Sequence, residues 1–153
     1  MPSDVISVSR VIPAAPEAIF PLISDPSKHP LIDGSGTVVA AKEPSRSLVL
    51  GDEFGMDMKR GAKYSMVNTV VEYEPNRRIA WKATFGKGIG AKFTGRIWRY
   101  ELEPVDGGTK VTESWDVSED GMGWALKRIG GLRKETTHNM TKTLARIEEL
   151  LAT

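Results

Sequence analysis

A chain of 153 residues with 40% apolar and 27% charged side chains is long enough for one well-packed domain and too apolar for disorder. Against 20 acidic residues stand 21 basic ones, and a net charge of +1 gives no sign of the basic excess a nucleic-acid binder carries. The lack of any cysteine excludes disulfides, thiolate nucleophiles and thiolate-bound metals.

In chain order, Met1-Pro2-Ser3-Asp4 shows neither a basic n-region nor an apolar h-region, and no apolar run approaches the roughly 20 residues of a membrane span. The expectation is one soluble, cytoplasmic domain over 1–153, without stable membrane insertion. Val5 to Ile12 alternates apolar with small or polar residues and ends at Pro13, as a first strand does. Pro16 opens a short helix with Ile19, Phe20 and Ile23 on one face, and Asp25-Pro26 stops it. A second helical turn follows around Lys28 to Ile32.

From Asp33-Gly-Ser-Gly onward the pattern is strand after strand: Thr37 to Ala41, Asp52 to Arg60, Lys63 to Tyr73, Ile79 to Phe85, Phe93 to Leu102 and Lys110 to Val117. Glu74-Pro75-Asn76 and Asp106-Gly107-Gly108 carry turn chemistry, so the connections read as hairpins. The pattern predicts a curved, seven-stranded antiparallel sheet of an α+β domain, with two short helices after its first strand. Period two places Phe54, Met56, Met58; Tyr64, Met66, Asn68, Val70; Ile79, Trp81, Ala83, Phe85; Trp98, Tyr100, Leu102; and Val111, Glu113, Trp115, Val117 on the covered face. Methionine adapts to irregular spaces, so Met56, Met58, Met66 and Met140 suit either a solid core or a pocket for a flat apolar guest.

What covers the sheet is the C-terminal stretch. Met122, Leu126, Ile129, Leu132, Met140, Leu144, Ile147 and Leu151 recur at spacings of three and four, which predicts one long amphipathic helix from Met122 to Thr153. Gly130-Gly131 in its midst predicts a kink. A helix lifted off a curved sheet leaves room for a small molecule.

Several phrases of the chain resemble the polyketide cyclase/dehydrase branch of the SRPBCC (START, Bet v 1-like) superfamily. They are Ala15-Pro16-Glu17-Ala18-Ile19-Phe20 after the first strand, Asp25-Pro26, Glu74-Pro75-Asn76-Arg77-Arg78-Ile79-Ala80-Trp81 and Gly107-Gly108-Thr109-Lys110-Val111-Thr112-Glu113. The resemblance implies a helix-grip fold, in which the sheet wraps the C-terminal helix around a deep cavity for a hydrophobic ligand. The polyketide-like or lipid-like character of that ligand comes from the resemblance alone. Many members carry a tryptophan where this chain reads His29-Pro30-Leu31-Ile32-Asp33-Gly34.

The chemistry-bearing residues are few. His29 and His138 are the only two histidines and lie far apart in sequence, so no metal site is expected, nor any cofactor. The glycine run Gly86-Lys-Gly-Ile-Gly-Ala lacks the signature of a phosphate loop and reads as a hairpin tip at a cavity mouth. Lys127, Arg128, Arg133 and Lys134 form a basic cluster, read as a solvated helix face or as a greeting for an anionic group. Glu113 shares the inward parity, where burial raises a carboxyl pKa toward a catalytic range; the alternative is an ion pair with Arg96 or Arg99.

Three functions stay open. The first is a module that binds a small hydrophobic, aromatic, polyketide-like or lipid-like molecule through Met56, Met58, Tyr64, Met66, Trp81, Phe85, Trp98, Trp115 and Met140. The second is a cyclase or dehydratase acting on a ligand folded in the cavity, with Glu113, Asn68 and Tyr100 as catalytic candidates. The third is a partner-binding module with a vestigial cavity. The expected partner is a small hydrophobic molecule and no nucleic acid, and the expected assembly a monomer or homodimer.

Overall fold

The computed structural model describes residues 4–41, 44–60, 62–85 and 94–152, with the backbone alone at 39, 41, 60 and 62–64. Strands β1 (Val5–Ile12), β2 (Val38–Ala41), β3 (Glu53–Arg60), β4 (Ala62–Glu74), β5 (Arg78–Thr84), β6 (Arg96–Val105) and β7 (Gly108–Asp116) lie in one antiparallel sheet. Its order is β1-β7-β6-β5-β4-β3-β2. The strands from β2 to β7 therefore form a meander, and β1 closes on the last of them. The body of the sheet is six strands of 7 to 13 residues. The seventh of the expected set, β2, is a four-residue edge whose register on β3 shifts between Val38 and Ala40.

Between β1 and β2 the chain must cross from one edge of the sheet to the other. It does so through α1 (Pro16–Ser24), a 3-10 turn over Pro26–Lys28, and α2 (His29–Ile32). Proline stands at the start of each piece, where its missing N–H would have no partner in any case. Asp25 fastens the corner: its carboxylate accepts from Ser27 N, from the Ser27 hydroxyl and from the Ser45 hydroxyl. These bonds hold its carboxyl below the usual carboxylate range against the opposing effect of burial.

The long C-terminal helix begins later than its apolar period suggests. A short α3 (Gly123–Leu126) is followed by a turn and then by α4 (Leu132–Leu151). Gly131, at φ 80°, occupies the left-handed region that glycine alone adopts without strain, and it ends the approach to α4. The pair of glycines thus breaks the helix where a kink was expected. The apolar stripe survives the break, because Leu126 and Leu132 pack on one cluster with Ile6, Trp115, Val117 and Met140. Further along α4, Leu144 and Ile147 are buried with Ile12, Ile19, Ile23, Ile79 and Val111 in a second cluster.

Candidate functional site

Between the two apolar clusters lies a cavity of about 520 Å³, inside the range of small-molecule sites. Its floor is the covered face of β3 to β7, and its rim is made by α2, the α2–β2 connection, and the stretch from Leu126 to Thr143. The period-two rows meet there. Met56, Met58, Met66, Asn68, Trp81, Phe85, Trp98, Tyr100, Glu113, Trp115 and Met140 all line it, Phe85 at a 43% exposed position. The side chain of Tyr64, expected among them, lies outside the described residues, as do Phe93 and the glycine run at 86–91.

The aromatic part of the lining is a chain of ring contacts. Trp81 meets Tyr100 with centroids 5.7 Å apart, and Trp98 meets Trp115 at 6.5 Å. Trp81 is also covered by His29, whose ring stacks on it at 4.9 Å and 23° and turns its edge toward Phe54 at 5.7 Å. His29 is fixed by a 2.7 Å bond between Nε2 and the Ile23 carbonyl. Burial lowers its pKa, so the imidazole is neutral and Nε2–H is the donor. No group of three metal-ligating side chains exists among the described residues.

The α2–β2 connection is drawn tightly onto α4. A Cβ at Gly34 would stand 2.3 Å from the Asn139 carbonyl oxygen and 2.6 Å from Thr143 N, so only glycine allows the approach. Gly34 N donates to Thr143 Oγ1 at 2.8 Å, and the Arg146 guanidinium donates to the Asp33 main-chain oxygen at 2.9 Å. The Asp33 carboxylate accepts from Ser35 N, the Ser35 hydroxyl and Val38 N. His29, Ile32 and Asp33 therefore reach the cavity from a segment that carries no period of its own.

Glu113 sits at the centre of the polar groups. It is 2% exposed and opposite Tyr100 in the β6–β7 register, with the Tyr100 hydroxyl near enough to its carboxyl to lower its pKa. Its Oε1 has no partner among the described residues. Burial first, and the charge of Asp33 next, push its pKa up to about 8 against the opposing effect of the Tyr100 hydroxyl; burial and the Glu113 charge push Tyr100 well above its ordinary value. The carboxyl is therefore protonated at neutral pH. Asn68 is buried near the same face and donates weakly to the Phe54 carbonyl at 3.4 Å.

An ion pair between Glu113 and Arg99 or Arg96 does not form. Arg99 alternates away from Tyr100 to the opposite face, where it pairs with Glu72 at 2.6 Å and Asp116 at 3.5 Å. Arg96 has the inward parity and reaches the cavity, but it turns to Asp120 at 3.4 Å and lies over the Phe85 ring. In the basic cluster, Lys127 pairs with Asp4 at 2.8 Å and Arg128 donates to the Trp124 carbonyl at 3.0 Å. No helix among the described residues is long and apolar enough to cross a membrane.

The comparisons with known proteins agree with this architecture. Uncharacterized protein Rv0088 of Mycobacterium tuberculosis is 31% identical over 95% of this chain, which spans 64% of that relative's length. Among solved structures, protein Ms6760 of Mycobacterium smegmatis superposes with a TM-score of 0.72 at 17% identity, covering 98% of this chain and 92% of that one. An AHSA1-like protein of Aeromonas hydrophila superposes at 0.66 and 17% identity, covering 97% and 92%. These likenesses establish a shared fold. Residues 4–152 match the family described as polyketide cyclase / dehydrase and lipid transport. The chain belongs to that family, the polyketide cyclase-like branch of the SRPBCC superfamily.

Proposed function

We infer that the protein is a single ligand-binding domain of helix-grip type that holds a small, largely apolar molecule between its sheet and its C-terminal helix. The observation that carries this reading is the cavity of about 520 Å³ lined by Trp81, Trp98, Trp115 and four methionines. Such a lining supplies a large apolar surface, which suits an aromatic, polyketide-like or lipid-like guest. The family's name adds the polyketide and lipid classes. The direct test is thermal denaturation across a broad set of flat apolar compounds. A ligand at a hundredfold its dissociation constant raises stability by about 2.7 kcal/mol. A set that moves the melting temperature nowhere, with an environment-sensitive dye staying dark, rejects the reading and favours a vestigial cavity.

Glu113 supports a second, enzymatic reading. A buried carboxyl that is protonated at neutral pH, with one oxygen unpartnered beside a phenol, has what a general acid needs. In that role Glu113 delivers the proton, Tyr100 stands opposite it as a second proton-bearing group, and Asn68 orients the substrate. Glu113→Gln then lowers turnover by about 10²–10⁴-fold while affinity is nearly kept. Unchanged turnover of a confirmed substrate removes Glu113 from catalysis.

A further inference from the structure

The polar groups inside the cavity are unequal in charge. The titratable groups that line the cavity with Glu113 are Tyr100 and Arg96 from β6, His29 from α2, Asp33 from the α2–β2 connection and Glu135 from α4. His29 is neutral and its Nε2 is taken by Ile23. Arg96, the one cation among the described lining residues, stands 3.4 Å from a carboxylate of its own at Asp120, whose side chain is fully buried. Among the described residues the Asp33 carboxylate accepts from neutral hydroxyl and amide groups, while the neighbouring Arg146 is bound to the main-chain oxygen instead. The lining thus holds the carboxylate of Asp33 and, at an exposed position, that of Glu135, together with the Glu113 carboxyl and its unpartnered oxygen and several aromatic rings.

We propose that the molecule this cavity takes carries a protonated amine, whose ammonium sits at Glu113 Oε1 against the faces of Trp81, Trp98 and Tyr100. The inference rests on the cavity-binding reading and deepens it. An ammonium satisfies the unpartnered oxygen, gains from the ring faces and offsets the repulsion that Asp33 exerts on Glu113 once it ionises. A neutral acceptor gains only the hydrogen bond, and an anion meets Asp33 and the rings with no cation left uncommitted. The proton balance follows: the amine keeps its proton, and Glu113 releases its own to solvent as it becomes a carboxylate.

The test is isothermal titration of the wild-type chain with naphthylethylamine, naphthylethanol and naphthylacetate at about pH 7, in two buffers of different ionisation enthalpy. The amine binds about tenfold or more tightly than the alcohol, the acetate binds weakest, and about one proton leaves per amine bound. Amine affinity rises with pH until it levels near the Glu113 pKa of about 8. In Glu113→Gln the amine falls to the affinity of the alcohol, while the alcohol stays within about twofold. An alcohol that binds as well as the amine, or an acetate that binds best, overturns the amine and leaves the cavity reading standing. So does an amine that binds without releasing a proton, and this readout needs no variant. Binding of none of the three overturns both.

Discussion

Replacing Glu113 by glutamine changes how stability depends on pH, by an amount the structure sets. The carboxyl ordinarily titrates at 4.5 and in the folded chain at about 8. The native state therefore binds this proton more tightly than the unfolded chain. Stability is complete below about 4.5, falls as pH rises between the two values and levels off above about 8. At about 1.4 kcal/mol per tenfold change, the full loss comes to about 5 kcal/mol, a large part of a typical domain's 5–15 kcal/mol. Glutamine fills the same space and cannot ionise. Urea denaturation of both proteins at about pH 5 and about pH 9 isolates the effect, because every other titrating group is shared. The difference between them shifts by about 4 kcal/mol in favour of the variant at the higher pH. Parallel stabilities at both values refute the burial of Glu113 and the electrostatics built on it.

Three further outcomes follow from the packing. Truncation after Asn139 removes Met140, Leu144 and Ile147, all fully buried, and losses of about 2–5 kcal/mol for each exceed the stability of a domain; a cooperative melt of the truncated chain contradicts this. Gly34→Ala drives a methyl group into the Asn139 carbonyl and Thr143 N of α4, and lowers stability by about 2 kcal/mol or more in chemical denaturation. Gly131→Ala meets open space, so its loss of about 1–2 kcal/mol comes from the left-handed backbone alone, and Gly131→Asn recovers part of it.

The sheet was legible in the sequence because one of its faces is buried. A strand shifted by one residue would turn Trp81 and Ala83 to solvent, so period two fixes both the register and the inward set. The same parity separates Arg99 from Tyr100, which is why a Glu113–Arg99 pair was never available. The late start of α4 was hidden, since Leu126, Ile129 and Leu132 keep a helical spacing and reach the cavity across a stretch that is not one helix. Only the glycine pair marked the break. His29 and Asp33 escaped detection as lining residues because their placement depends on contacts with Trp81 and α4 that are remote in the chain. The local signal was the glycine in Asp33-Gly34-Ser35, which marks a close backbone approach as readily as a turn.

The central claim is that an apolar guest occupies the space beneath α4. The four tryptophans give a direct measurement, since Trp81, Trp98 and Trp115 line the cavity while Trp124 is 65% exposed and lies outside it. In a ¹⁵N-labelled sample each indole N–H has its own resonance, and titration with a flat aromatic compound reports on all four at once. A guest beneath α4 gives saturable shifts of the Trp81, Trp98 and Trp115 resonances with Trp124 unmoved. Shifts confined to Trp124, or shifts of none of the four, contradict it.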